Sequence, residues 1–385
     1  MKLGNIGSFV TGGTPSRKHP EYYSGSIPWV SSTSLGATYI TDENVNAWIT
    51  TEAISNSSTK VVQKDSILIG IRVGVGKCSI TTFPLCTSQD VVAIEGIDTS
   101  QYYLPFVLNF INSKQPYFDK VKRGATIKGI TTSLLKELDF PNIPMSDQIK
   151  ISNSLDKISS LIRDYKNSVE MLDVLVKSRF VEMFGDPASN PKQWPKTTVG
   201  QECYYIKDGP HKSLPSIGKE NGGHPFISVR NIVDHSIDFS TAKYISDEDY
   251  EAARKKCCPA KGDMLYSKGG TTGIAKLIDV DVEFANWVHL AVLKYDKQQL
   301  NGVFFENMLN SEYCYKQSQR LTKGIANRDL VLSAMAQIEM YHPPYTLQEE
   351  FAVFVQSIDK SKSVIQKSLD EAQLLFDSLM QEYFG

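Results

Sequence analysis

The chain has 385 residues, 41% of them apolar and 22% charged, with a formal net charge of −2. That length exceeds one ordinary hydrophobic core, so two or more domains are expected, and the mix of apolar and charged residues excludes a disordered chain. The sequence contains no run of 18 apolar residues and no hydrophobic leader, so an intracellular, cytoplasmic protein with no membrane span is expected.

Residues 1–146 carry a net charge of +2 and alternate short β-rich runs, at 66–73 and 91–94, with Gly, Ser, Thr and Asn clusters and a helical segment at 104–112. The stretch Gly70-Ile71-Arg72-Val73-Gly74-Val75-Gly76-Lys77-Cys78 superficially resembles a phosphate loop. Its spacing is wrong for one, however: Gly70 lies one residue too far from Gly76-Lys77, and Cys78 stands where a hydroxyl would hold magnesium. A glycine-containing strand turn is the simpler reading.

A long helix is expected next, over 147–185, where charge is balanced. Ile151, Leu155, Ile158, Ile162, Tyr165, Val169, Leu172 and Val176 follow at alternating spacings of four and three, the a/d seam of a heptad pattern. Pro144 precedes the run with Ser146 as expected N-cap, as Pro344 and Thr346 do in the last segment, and Gly185 sits where a C′ glycine would. Residues 186–346, again neutral, show β-rich runs at 264–268 and 290–292 and a helical segment at 304–319. The last segment, 347–385, carries −4 and a second seam of Phe351, Val355, Ile358, Lys362, Ile365, Leu369, Ala372 and Phe376, broken only by Lys362. Each helix should run roughly 37 residues, or about 55 Å.

The two helical segments are copies. Shifting 144–185 by 200 positions matches Pro144, Gln148, Ile158, Ser168, Leu175, Ser178, Glu182, Phe184 and Gly185 with identical residues, in the same apolar register. The segments before them correspond more loosely: Ile27-Pro28-Trp29-Val30-Ser31 is similar to His224-Pro225-Phe226-Ile227-Ser228, and Lys64-Asp65-Ser66-Ile67-Leu68 to Gly262-Asp263-Met264-Leu265-Tyr266. A repeat of half the chain implies a duplicated domain pair. Two narrow seams of identical register imply that the helices pair with each other, antiparallel because a whole domain lies between them.

Catalytic signatures are weak. His342-Pro343-Pro344-Tyr345 is similar to the motif of adenine amino-methyltransferases, but a His takes its polar first position and the first copy reads Asn142-Ile143-Pro144-Met145, a turn into a helix. The six cysteines, Cys78, Cys86, Cys203, Cys257, Cys258 and Cys314, form no C-x-x-C and lie near no zinc-spaced histidine pair, so reduced thiols and no metal are expected. None of the six histidines sits in a recognisable hydrolase context.

Two divergent heads alternating with two similar long helices resemble the specificity subunit of type I restriction–modification systems. Gly12-Gly13-Thr14-Pro15-Ser16, then Tyr22-Tyr23-Ser24-Gly25-Ser26-Ile27-Pro28-Trp29-Val30, look like the opening of that family's target recognition domains, and the helix starts at Pro144 and Pro344 and ends at Phe184-Gly185 and Phe384-Gly385 look like its helices. The resemblance implies an α+β fold: two pseudo-symmetric target recognition domains, at 1–146 and 186–346, joined by spacer helices at 147–185 and 347–385 that form an antiparallel coiled coil. It also implies a non-catalytic subunit that reads a two-part sequence in double-stranded DNA, one head per half. Its partners would be two modification subunits using S-adenosylmethionine and restriction–translocase subunits using ATP and Mg, with no cofactor in this chain.

Cationic residues flanked by Gly, Ser or Thr are the candidate DNA contacts. They are Arg17, Lys18, Arg72, Lys77 and Lys128 in the first head, and Lys207, Lys212, Arg230, Lys268, Lys276 and Arg328 in the second. Two other readings stand beside this one: a self-sufficient adenine methyltransferase, which would need a cofactor loop, and a protein-binding scaffold, which suits the neutral charge.

Overall fold

The computed structural model describes residues 1–123, 129–232, 236–324 and 328–385. The chain forms two compact units, one of residues 1–166 with 367–385, the other of residues 167–366. Each unit is therefore a head together with the start of one long helix and the end of the other. The helices run Met145–Phe184 and Tyr345–Phe384, 40 residues each. They begin one residue before Ser146 and Thr346, because the carbonyls of Pro144 and Pro344 already accept from Gln148 N and Gln348 N at 3.1 and 3.2 Å. The two hydroxyl residues thus lie inside the first turn instead of capping it. Gly185 ends the first helix in the left-handed conformation (φ 81°), with its N–H on Val181 O at 2.8 Å, as a C′ glycine should.

In the first unit, one sheet orders its strands Ser8–Thr11, Val91–Glu95, Ile67–Gly70, Cys78–Thr81, Tyr39–Ile40, and a second orders them Ala47–Ile49, Ile27–Val30, Leu85–Thr87, Val61–Val62. The second unit repeats this plan in shortened form. Its sheets run Cys203–Asp208, Leu290–Tyr295, Met264–Ser267, Ala275–Leu277 and Lys243–Ile245, His224–Ile227, Ala285–Asn286, with an added pair Lys196–Thr198 and Glu339–Tyr341. The Ile27 and His224 strands make the same pairings: antiparallel to one neighbour, parallel to the other. Among the described residues the first head thus holds two distinct sheets, and the second holds two with the added strand pair. The helical segment expected at 304–319 is two helices, Gly302–Leu309 and Glu312–Leu321, because the Ser311 side chain accepts from Cys314 N and starts a second one.

Apolar strands buried on both faces, such as Ile67–Gly70 and Leu290–Tyr295, anchor the cores. The helix ends complete them. In the first unit Phe384 sits 5.1 and 6.1 Å from the rings of Phe106 and Phe110, in a cluster that also takes Leu155. In the second, Phe180 and Phe184 each meet Phe304 and Phe351. Every a/d position of both seams is buried or half-buried, so the periodicity read from sequence is a packing face. Within the second unit Phe351 meets Phe184 while Lys362 pairs with Asp173, so numbering falls along one helix as it rises along the other: the pair is antiparallel. Lys362, the one break in the stripe, is offset by that carboxylate.

All six cysteines are free. Burial pushes the Cys86 and Cys257 thiols up to about 11, so they are neutral packing groups. Among the described residues no helix is long and apolar enough to cross a membrane.

Candidate nucleic-acid interface

Each head carries a concavity on the strand that follows its first loop, built by the same backbone. In the first unit Trp29 pairs across the sheet with Ala47, and its indole N–H donates to Gly13 O at 3.0 Å. Ser31 N donates to Asn46 Oδ1 at 2.6 Å, which also accepts from Ser34 Oγ at 2.7 Å. The resulting hollow, about 590 Å³, is lined by Arg17, Tyr23, Trp29, Ser31, Thr33, Asn46 and Ala47. In the second unit Phe226 pairs with Lys243 as Trp29 does with Ala47, and Ser228 N donates to Asn231 Oδ1 at 2.9 Å. Its smaller hollow, about 230 Å³, is lined by Ser213, Leu214, Phe226, Ser228, Arg230, Lys243 and Trp287.

The loop into each hollow leaves its strand at a glycine. A Cβ on Gly12 would overlap the Thr87 carbonyl, and one on Gly209 the Asn286 carbonyl, so only glycine lets the chain cross here. That crossing brings the exposed Arg17 to one hollow, with the exposed Lys18 next to it in the chain, and the exposed Lys212 to the loop lining the other. Arg230, also exposed, donates through Nη2 to Thr241 O at 3.1 Å.

The glycine stretches form a second matched feature. Gly70 N donates to Lys77 O at 2.8 Å and Gly76 N to Gly70 O at 2.9 Å; the second unit repeats this with Ser267 N on Ile274 O at 2.8 Å and Gly273 N on Ser267 O at 3.0 Å. Gly76 and Gly273 are left-handed (φ 84° and 94°), which fixes the turn. The strand-turn reading therefore holds and the phosphate-loop one does not. Each loop is tied to the segment before the long helix, Ile130 N to Ile71 O at 2.8 Å and Leu330 N to Lys268 O at 2.7 Å. Arg72 and Lys77 are exposed on the first loop, with Arg72 Nη1 at 3.6 Å from Asp90. Lys128 lies outside the described residues. Arg328 is exposed beside the second loop, where its carbonyl accepts from Gly270 N at 3.1 Å and its guanidinium donates to Gln319 Oε1.

Two candidates are displaced. Lys276 has a side chain only 10% exposed, held between Asp279 at 3.1 Å and Glu306 at 3.5 Å. Lys268 is 6% exposed, 2.9 Å from Asp329 and 3.5 Å from Asp208. A buried charge must be paired, and here protein carboxylates already do so, which leaves neither ammonium free for a phosphate. Burial works against both charges of the Lys276–Glu306 pair; with two carboxylates beside it the lysine stays cationic, and burial pushes the Glu306 carboxyl up to about 7 although Lys276 opposes this. Lys207 is exposed but lies with its ammonium 5.2 Å from the Tyr205 ring, on the strand Cys203–Asp208. Lys243, Trp287 and Asn46 were not singled out by sequence. Their place at the hollows depends on cross-strand register and on loops far apart in the chain.

The profile of the type I restriction modification DNA specificity domain matches residues 1–171 and again 174–373. The chain is 24% identical over 398 residues, 98% of its own length and 90% of the relative's, to the type I restriction enzyme MjaIX specificity subunit of Methanocaldococcus jannaschii. It is 30% identical over 166 residues to the EcoR124I/EcoR124II specificity subunit of Escherichia coli, covering 41% of this chain and 40% of that one. The fold is similar to a type I restriction–modification S subunit from M. genitalium, with a TM-score of 0.58 at 15% identity, covering all of this chain and 95% of that one. A chain from a solved type I R-M system, studied for complex assembly and conformational transition, gives 0.61 at 15% identity and covers 96% of that chain.

Proposed function

The chain belongs to the family of type I restriction–modification specificity subunits, and from that premise we propose that each head reads one half of a bipartite site in double-stranded DNA. The observation that carries this is duplication with divergence: the same strand pairings and glycine-loop hydrogen bonds occur in both units, each with a hollow on the matching strand, but the hollows are lined by different side chains. One frame carrying two chemistries suits two unlike half-sites. The long helix pair sets the gap between them and docks two modification subunits, and the chain works in the cytoplasm. Chemistry resides in those partners, which supply S-adenosylmethionine-dependent adenine methylation, and in restriction–translocase subunits using ATP and Mg.

The cationic residues that carry DNA binding in this reading are the exposed ones: Arg17, Lys18, Arg72 and Lys77, with Lys207, Lys212, Arg230 and Arg328. Arginine and lysine anchor phosphates and read guanine edges in the major groove. The methyltransferase alternative is disfavoured by His342. Its ring Nδ1 lies 3.0 Å from Glu202 Oε1 and its backbone N–H donates to Pro195 O at 3.0 Å, so it serves the turn into the second helix. Replacing residues 186–346 with the corresponding head of another specificity subunit tests the proposal. Sequencing of methylated host DNA should then show one half of the motif exchanged and the other intact; an unaltered motif would refute modular reading.

A further inference from the structure

The two hollows differ at a small, definable set of positions. They share a strand frame: an aromatic residue on the inner strand (Trp29, Phe226), then a serine two residues on (Ser31, Ser228) whose N–H is held by an asparagine side chain, Asn46 from a distant loop in the first head and Asn231 three residues on in the second. Strand register aligns Ala47 with Lys243, since each faces that aromatic residue. Counting on from the serine aligns Thr33 with Arg230. The first hollow takes its one cation, Arg17, from the loop after Gly12, where the second has Ser213 and Leu214. The cations have changed places on a shared strand frame.

Enclosure and polarity differ as well. The second hollow adds Trp287, whose indole N–H is buried and without a hydrogen-bond partner among the described residues. A buried donor without a partner costs free energy that an incoming acceptor would recover. Three donors, the guanidinium of Arg230, the ammonium of Lys243 and the indole of Trp287, line one hollow with no carboxylate among its lining residues. The first hollow offers one guanidinium with hydroxyls and the Asn46 amide.

We propose that these hollows are where each head discriminates its bases, and that residues 33, 47 and 17 in the first head and 230, 243 and 213–214 in the second are its specificity-determining positions. The inference rests on the DNA-reading role proposed above. Its chemical content is that the second hollow selects an acceptor-rich base edge, that of guanine with its adjoining N7 and O6, because two cations and an unpartnered indole N–H outweigh its two serine hydroxyls. The first, with hydroxyl and amide groups beside Arg17, accepts as well as donates and tolerates the mixed edge of adenine.

Thr33, Arg230 and Lys243 are exposed, and Ala47 is half-buried against the cluster of Trp29, so thermal midpoints of the variants, Thr33→Arg alone included, show that each head remains folded. In the second head, Arg230→Thr with Lys243→Ala installs the first head's chemistry; in the first, Thr33→Arg with Ala47→Lys does the converse. Each variant is co-expressed with the modification and restriction subunits, and the methylated motif is read by sequencing while binding to duplexes of that motif is titrated. Expected is a change confined to one half-site, with preference at one or two of its positions altered roughly ten- to a hundredfold. The exposed Lys316→Ala serves as a control that should leave the motif intact. An unchanged motif in both double variants, with the wild-type complex binding normally, overturns the inference and leaves the DNA-reading role standing. Weakening that is equal for all sequences overturns it too, since that is the mark of a phosphate contact. A wild-type complex that methylates no sequence and binds no duplex would overturn the DNA-reading role itself.

Discussion

Gln148 and Gln348 are at most 1% exposed and do the same work in each unit. Gln148 Oε1 accepts from Tyr103 N at 2.9 Å while its amide donates to the carbonyls of Gln101 and Ile143, both at 2.9 Å. Gln348 repeats this with Asn301 N at 2.8 Å and Pro343 O at 2.8 Å. A side chain offering donor and acceptor together is needed because the turn into each helix leaves both kinds of backbone group buried. Gln348→Leu should lower stability by about 1–3 kcal/mol in urea unfolding, since it orphans those groups. Glu306 makes a pH prediction. Its folded carboxyl is raised from 4.5 to about 7 by burial, so the native state binds the extra proton. That contribution is complete below the unfolded value and is lost as pH rises through about 7, at most about 3 kcal/mol. Urea midpoints of Glu306→Gln should therefore fall less between pH 5 and pH 8 than those of the wild type. An identical fall in both would show that the carboxyl titrates normally.

The long helices illustrate what an element can and cannot announce about itself. Heptad spacing identified every seam position correctly, because the a/d pattern depends only on local geometry. What the spacing could not say is that each helix is shared between two units, with its ends serving as core. Phe384 lies against Phe106 and Phe110 of the first head, 278 and 274 residues earlier in the chain. Phe384→Ala should cost about 3–5 kcal/mol by cavity formation, and should do so in the first unit, which limited proteolysis can resolve. Ile162→Lys with Leu172→Lys puts two charges on the half-buried seam and should lower the thermal midpoint, by about 3 kcal/mol or more in free energy. Lys362→Ala, at an ion pair with side chains 25% and 55% exposed, should cost no more than about 1 kcal/mol.

For the whole molecule the neutral charge conceals its use. Exposed cations lie at the hollows and glycine loops, whereas Lys268 and Lys276 are themselves buried and spent on neighbouring carboxylates. Binding of the assembled complex to duplex DNA should fall steeply as salt rises. Removing Arg72 or Lys77 should reduce that slope without altering the motif. A slope indistinguishable from zero would exclude phosphate contacts.

Duplication, helix pairing and the α+β class were all legible in the chain itself, because they leave marks that depend on neighbours three, four or two hundred positions away in a fixed register. The correspondence of Ile27–Val30 with His224–Ile227 was legible too, through a Pro and an aromatic residue at matching places. Which cations face solvent was not. Lys268, between Ser267 and Gly269, has the surroundings of a surface loop, yet it is buried, because Asp208 and Asp329 reach it from a distant strand and loop, while Arg328 is exposed. Burial and charge pairing are sums over the contacts of the folded state, and only the tertiary structure supplies those contacts.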